Sequence, residues 1–122
     1  MSDTAVRDTQ VMGEVGSRRI YEDDDIILWE FVLPPGERTP CHTHRHDYLF
    51  YVLEGTRLEV YDAKDQHLGG FDSPTGATFA LKLDGDDLVS SDDKGLRAPA
   101  THSALNAGAG TYREILIEKK RK

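Results

Sequence analysis

Pro35-Gly36-Glu37-Arg38-Thr39-Pro40-Cys41-His42-Thr43-His44-Arg45-His46-Asp47-Tyr48 runs straight into Leu49-Phe50-Tyr51-Val52-Leu53-Glu54-Gly55. This stretch holds three of the chain's five histidines and leads into its most apolar run. His42 and His44 stand two apart, a spacing that puts both side chains on one face of a strand. Two imidazoles side by side can chelate one ion, whereas neighbours in sequence would point apart. Leu49 to Leu53 is apolar at every position, which describes a strand covered on both faces, by a facing sheet and by a further element such as a second subunit.

The rest of the chain reads outward from there as strands and turns. Ile26 to Leu33 is a strand with Ile27, Trp29, Phe31 and Leu33 inward and Glu30 outward, ended by Pro34-Pro35-Gly36. Val11 to Tyr21 fits one or two short strands broken at Gly13 and Gly16, and Glu22 to Asp25 is an acidic turn. Arg57 to Tyr61 alternates with Leu58 and Val60 inward. Leu68 to Phe71 is a weak strand, and Ser73-Pro74-Thr75-Gly76 a turn. Ala77 to Leu83 alternates again, with Phe79, Leu81 and Leu83 on one side. Leu88-Val89, the segment around His102, and Tyr112 to Glu118 supply the last strands. No stretch carries helical periodicity with caps. Short strands with turn signals every 8–12 residues define an all-β barrel or sandwich.

Composition bounds the partners. A chain of 122 residues suits one domain. We divide it into a mobile N-terminal segment at 1–10, a barrel at 11–118 and a basic tail at 119–122. A formal charge of -7 argues against nucleic acid or an anionic membrane as partner. The single Cys41 excludes an internal disulfide and fits a reducing compartment. No segment approaches the run of about 20 apolar residues of a membrane helix, and Met1 to Gln10 has no signal-peptide pattern. The expectation is a soluble, cytoplasmic protein.

One cysteine cannot build a four-ligand structural zinc site. Histidine-rich sites with an open position are the catalytic type, for zinc or non-haem iron. His42 and His44 give two ligands. His46 lies about 13 Å from His42 in an extended chain and reaches the same ion only across a bend, so it reads as a site-edge residue. His102, from a late strand, is the better third ligand in a barrel. The bland alternative is that these histidines only hydrogen-bond inside the barrel. His67 sits beside a turn and reads as exposed. Cys41 has the opposite parity to the histidines and reads as outward.

These residues resemble the cupin superfamily. Gly36, His42, His44 and Gly55 fall on its first motif, with Tyr51-Val52-Leu53-Glu54-Gly55 as the motif's ending; His102 and Asn106 match the end of its second. The resemblance implies a small single-domain cupin β-barrel of the jelly-roll type, holding one divalent metal, Fe2+, Zn2+, Ni2+ or Mn2+, through His42, His44 and His102. Two departures stand out. Tyr48 occupies the place of the usual metal-binding glutamate, and Arg97-Ala98-Pro99-Ala100-Thr101 replaces the usual turn before the second histidine. A three-histidine site is similar to those of thiol and diketone dioxygenases. It therefore implies a metal-dependent enzyme on a small organic substrate, an oxidoreductase of dioxygenase type if the ion is Fe(II). The alternatives are an isomerase or lyase using a Lewis-acid metal, and a non-catalytic ligand-binding or sensor module. Tyr48 shares parity with His42 and His44 and is the candidate catalytic residue. Arg113 shares parity with Ile115 and Ile117 and is the candidate anchor for a substrate carboxylate inside the barrel, against the plainer reading of an exposed strand-end arginine. A homodimer is expected from the doubly apolar 49–53 strand and from the resemblance.

Overall fold

The computed structural model describes residues 14–120, and every regular element in it is a β-strand. The segment expected to be mobile, 1–10, lies outside the described residues, as do Lys122 and Arg121 of the tail. The strands are β1 (Arg18–Glu22), β2 (Ile26–Leu33), β3 (His42–Thr43), β4 (Asp47–Glu54), β5 (Thr56–Asp62) and β6 (His67–Ser73). After them come β7 (Thr78–Asp84), β8 (Asp87–Ser90), β9 (Arg97–Pro99), β10 (Thr101–Asn106) and β11 (Tyr112–Lys119). They form a seven-stranded sheet in the order β1-β2-β11-β4-β7-β8-β9 and a four-stranded sheet in the order β3-β10-β5-β6. Each of these strand pairings is antiparallel. Among the described residues no helix is long and apolar enough to cross a membrane.

The inner faces follow the period-two alternation read from the sequence. Trp29, Leu116, Phe50 and Phe79 stand opposite one another across β2, β11, β4 and β7, so one row of large side chains crosses the seven-stranded sheet. All four are buried. Pairing large apolar residues directly opposite one another is how a sheet converts alternation into core contact. The four-stranded sheet closes over this row: Phe71 of β6 meets Phe79 edge-on with ring centroids 5.5 Å apart.

Two of the motif glycines answer to backbone demands. Gly36 has φ +80 in a turn in which the Glu37 amide bonds the Pro34 carbonyl at 3.1 Å. Proline followed by a left-handed residue is the type II pattern, and glycine adopts that conformation without strain. At Gly55 a Cβ would lie 2.3 Å from the Ser73 carbonyl oxygen and 2.4 Å from the Thr75 nitrogen, a space that no side chain can share.

The structure bears on the sequence reading in three places, and corrects it at the tail and in β11. The inner face of β4 is covered as expected, by Tyr48, Phe50 and Val52 packing inward. On its outer face, however, Tyr51 and Leu53 are exposed in the single chain. The tail does not begin as a solvated end: Lys119 closes β11, and Lys120 donates to the Asp23 carbonyl at 2.8 Å and pairs with Glu22. The third place is the phase of β11. Tyr112, Glu114, Leu116 and Glu118 point inward, and Arg113, Ile115 and Ile117 outward. The two glutamates tolerate the interior because each has a donor there: Tyr112 Oη donates to Glu114 at 2.5 Å and Trp29 Nε1 to Glu118 at 2.7 Å. Isoleucine suits the half-covered outer face of a sheet equally well.

Asn106 ties the two sheets and the following turn together. It is fully buried; its amide nitrogen donates to the carbonyls of Leu33 at 2.9 Å and Gly110 at 2.8 Å. Its side-chain oxygen accepts from the Gly108 amide at 2.9 Å and the Thr56 hydroxyl at 3.1 Å. Both donors and both lone pairs are thus used. Asn106→Ala strands the four partners of a buried amide, and Asn106→Asp replaces its two donors with an acceptor. Each is expected to lower stability by about 3 kcal/mol, read from urea unfolding with unchanged slope.

Candidate metal centre

The chain from Gly36 to His44 runs antiparallel beside 100–106. The Gly36 amide bonds the Asn106 carbonyl, Thr39 the Ala104 carbonyl and His44 the Ala100 carbonyl, at 2.8 to 2.9 Å. That ladder sets His42 directly opposite His102. The strand then breaks between Thr43 and Asp47, where the chain crosses from the small sheet to the large one. The break leaves His44 inward beside His42 and lets β4 begin with Tyr48 facing the same interior. His42, His44 and Tyr48 are all buried.

One ring nitrogen from each of His42, His44 and His102 lies within 4.8 Å of the other two. Their ring centroids stand 5.0, 4.9 and 4.9 Å apart, almost an equilateral triangle. His42 Nδ1 lies 3.0 Å from the Pro40 carbonyl oxygen and His102 Nδ1 2.7 Å from that of Pro99. A carbonyl only accepts, so in each neutral ring Nδ1 carries the hydrogen and Nε2 keeps a lone pair. Backbone carbonyls orient metal-ligating histidines in this way. His44 Nδ1 is buried with no protein partner, an expense of about 1–3 kcal/mol in an apolar interior.

The rings are held neutral. Burial, then the neighbouring His102, lowers His42 to about 4. Burial, then His42 and His102, takes His44 well below its ordinary value. Burial lowers His102 as well, against the opposing hydrogen bond to Pro99. Three neutral imidazoles with oriented lone pairs are the donor set a borderline divalent ion takes, and these residues fit one.

The other candidate residues divide. The Tyr48 ring stacks on His44 at 4.4 Å, nearly parallel at 14°. Burial and then the charges of Glu114 and Glu118 raise its phenol above the usual range. Tyr48 therefore stays un-ionised, suited to donating a hydrogen bond rather than releasing its proton. His46 is not part of the cluster. Asp47 turns away, its carboxylate accepting from the Leu83 amide at 2.9 Å. Cys41 is half-buried and outside the cavity lining. His67 is exposed and bonds Glu59 at 2.6 Å. Arg113 is not an interior anchor: it lies on the outer face, its guanidinium 3.2 Å from Glu54 and 3.7 Å from Glu30. Its parity with two isoleucines was the misleading cue, since the outer face is the one they occupy.

The histidines open onto a cavity of about 240 Å³ whose walls are mainly apolar, with Phe31, Phe50, Leu58, Val60 and Phe71 among them. Glu114 also lines it, a residue the sequence reading did not single out. Tyr112 and Leu116, on the same parity, were the available signal for its direction.

No protein-family model matches this sequence, and no curated protein matches it. Solved structures do. A cupin domain protein from Bordetella pertussis Tohama I aligns with a TM-score of 0.64 at 16% identity, covering 90% of this chain and 99% of its own. The polyketide cyclase RemF from Streptomyces resistomycificus aligns at 0.55 and 18% identity, over 97% of this chain and 80% of its own. A sugar phosphate isomerase of the cupin superfamily from Silicibacter pomeroyi DSS-3 aligns at 0.51 and 17%, over 80% of this chain and 52% of its own. With its two antiparallel sheets and paired histidine strands, this chain folds as a small single-domain cupin barrel.

Proposed function

We propose that the protein is a metal-dependent cupin enzyme acting on a small organic substrate, with His42, His44 and His102 as the ligands of one divalent ion. The observation that carries this reading is the buried triangle of neutral imidazoles, two of them fixed by carbonyls with Nε2 free. A divalent ion held there supplies Lewis-acid polarisation of a bound oxygen or, as iron(II), a common site for substrate and O2. The protein's share is to shield and orient. Phe50 and Leu58 exclude water from the cavity, and Tyr48, stacked on His44, offers a phenol O–H to a substrate oxygen. The solved neighbours include an isomerase and a cyclase, so the fold leaves the choice between dioxygenase and isomerase or lyase chemistry to the ion and substrate.

Elemental analysis of untagged protein is expected to find close to one iron, zinc, nickel or manganese per chain. A His42→Ala/His102→Ala double variant is expected to hold none. A folded wild type that takes up no ion on reconstitution would exclude the reading. Iron would be followed by O2-uptake assays, and another ion by assays of isomerisation and elimination.

The buried rings also give the metal-free protein a pH signature. Folded His42 takes its proton near pH 4, an unfolded histidine near 6.5. Between these values the unfolded state binds more protons, so stability falls as pH drops from about 6.5 to about 4, by roughly 3 kcal/mol for this ring. Glu114 runs the other way: raised from 4.5 to about 8 by burial, it favours folding at low pH and loses that contribution as pH climbs through 8. The difference between wild type and His42→Asn isolates the histidine. It is expected to be largest above pH 6.5 and to shrink toward pH 4 in chelator-treated samples followed by denaturant unfolding.

We further place the protein in the cytoplasm, on its single cysteine, as a homodimer formed over the outer face of β4. Sedimentation is expected at twice the chain mass, and at the chain mass once Tyr51→Lys and Leu53→Lys are introduced together.

A further inference from the structure

The last strand carries a polar device that the histidine cluster leaves unused. Across β2, β11 and β4, Glu114 stands opposite Phe31 on one side and Val52 on the other. Its carboxyl is buried yet lines the cavity shared with His42, His44, His102 and Tyr48. One carboxyl oxygen, Oε1, is taken by Tyr112 Oη at 2.5 Å. The Tyr112 hydroxyl thereby accepts from Ser73 Oγ at 3.1 Å, and both Ser73 and Tyr112 are fully buried. This three-member chain fixes the carboxyl in place and leaves Oε2 without a protein partner among the described residues.

The rest of the lining decides what Oε2 can meet. Glu114 is the only carboxylate among the lining residues, and no lysine joins it. The one cation, Arg97, is a rim residue with a side chain 58% exposed, held 3.0 Å from Asp87 and 3.6 Å from Asp84. Glu118 adds a second interior carboxyl on the same strand face, bonded to Trp29. An anionic group placed against Glu114, away from the histidine centre, would face that carboxyl with no free cation beside it to offset its desolvation.

We propose that Glu114 is a ligand-contacting residue, and that the cavity takes a largely apolar molecule bearing an uncharged hydroxyl, carbonyl or amide for Glu114 and a chelating oxygen pair for the histidine centre. The proposal rests on the metal-centre reading above and adds the substrate class to it. The cavity volume of about 240 Å³, roughly eight water molecules' share of liquid, and the phenylalanine walls suit a substituted aromatic body. Burial pushes the Glu114 carboxyl up to about 8, so near neutral pH it presents both a donor and an acceptor. Phosphorylated and dicarboxylic substrates are the class this arrangement rejects.

Three hydroxamates test this on zinc-loaded protein by titration calorimetry. Benzohydroxamate supplies the chelating end alone; its 4-carbamoyl and 4-carboxy derivatives add groups of matched shape, one neutral and one anionic. The carbamoyl compound is expected to bind at least tenfold more tightly than the carboxylate. Glu114→Leu is expected to weaken the carbamoyl compound about tenfold while leaving benzohydroxamate within twofold, and Glu114→Gln to retain the carbamoyl affinity. Equal affinities for the two derivatives in the wild type would overturn the proposal, whether or not Glu114→Leu folds. So would a carbamoyl affinity that the leucine variant leaves unchanged. If benzohydroxamate itself does not bind the zinc-loaded wild type, the metal-centre reading fails and this inference falls with it; if it binds while the derivatives do not differ, only the inference fails.

Discussion

The antiparallel pairing of 36–44 with 100–106 is the constraint on which the rest of the structure depends. It sets His42 opposite His102, it seats Gly36 against Asn106, and it ends where the chain must leave one sheet for the other. A site assembled from residues about 60 positions apart in sequence needs such a ladder, because imidazoles on unpaired segments would pay ordering entropy for each ring separately. Here the backbone hydrogen bonds fix the strands, and the carbonyls of Pro40 and Pro99 fix the ring faces. Both of those carbonyls belong to prolines, whose restricted φ stiffens the residues that aim the rings.

Asn106 extends the same constraint to the far end of the barrel. Four hydrogen bonds from one buried amide hold Leu33 at the end of β2, Thr56 at the start of β5 and the 108–110 turn. The turn in its place feeds β11 between β2 and β4, and β11 brings Glu114 and Glu118 inside. The metal-facing end and the carboxyl-bearing strand are therefore positioned by opposite ends of one strand, β10.

Much of this was legible in the sequence, for a physical reason. His-x-His spacing and strict alternation in Ile26–Leu33, Arg57–Tyr61 and Ala77–Leu83 report burial directly, since a one-residue slip would turn each hydrophobic set to solvent. His102 was picked as the late-strand histidine that a barrel brings round and then matched, with Asn106, through resemblance to the cupin motifs. β11 was read in the wrong phase. Its outward face holds Ile115 and Ile117 and its inward face Glu114 and Glu118, so hydrophobicity alone gives the inverted answer. The acids are inside because Tyr112 and Trp29 donate to them, and a donor 89 residues away in sequence, as Trp29 is from Glu118, leaves no trace in local pattern. On the outer face of β4, Tyr51 and Leu53 are exposed in the single chain, so the cover expected there falls to the proposed second subunit.

The interior that results is polarised along the barrel. At one end three rings are held neutral by their own burial, with lone pairs facing a common point. Beyond them lie aromatic and aliphatic walls, and on β11 stand carboxyls whose neighbours are donors rather than cations. Among the described residues that line this interior, the one cationic side chain is Arg97 at the rim, already engaged by Asp84 and Asp87. A cation held at the histidine triangle, as proposed, would offset that imbalance. On the proposed reading, a ligand would turn its most basic oxygens toward the histidines, its apolar body against Phe31 and Phe50, and an uncharged polar group against Glu114. Orientation of this kind, set by a few fixed polar groups on an apolar wall, would let a barrel with few polar side chains discriminate between ligands of nearly equal size.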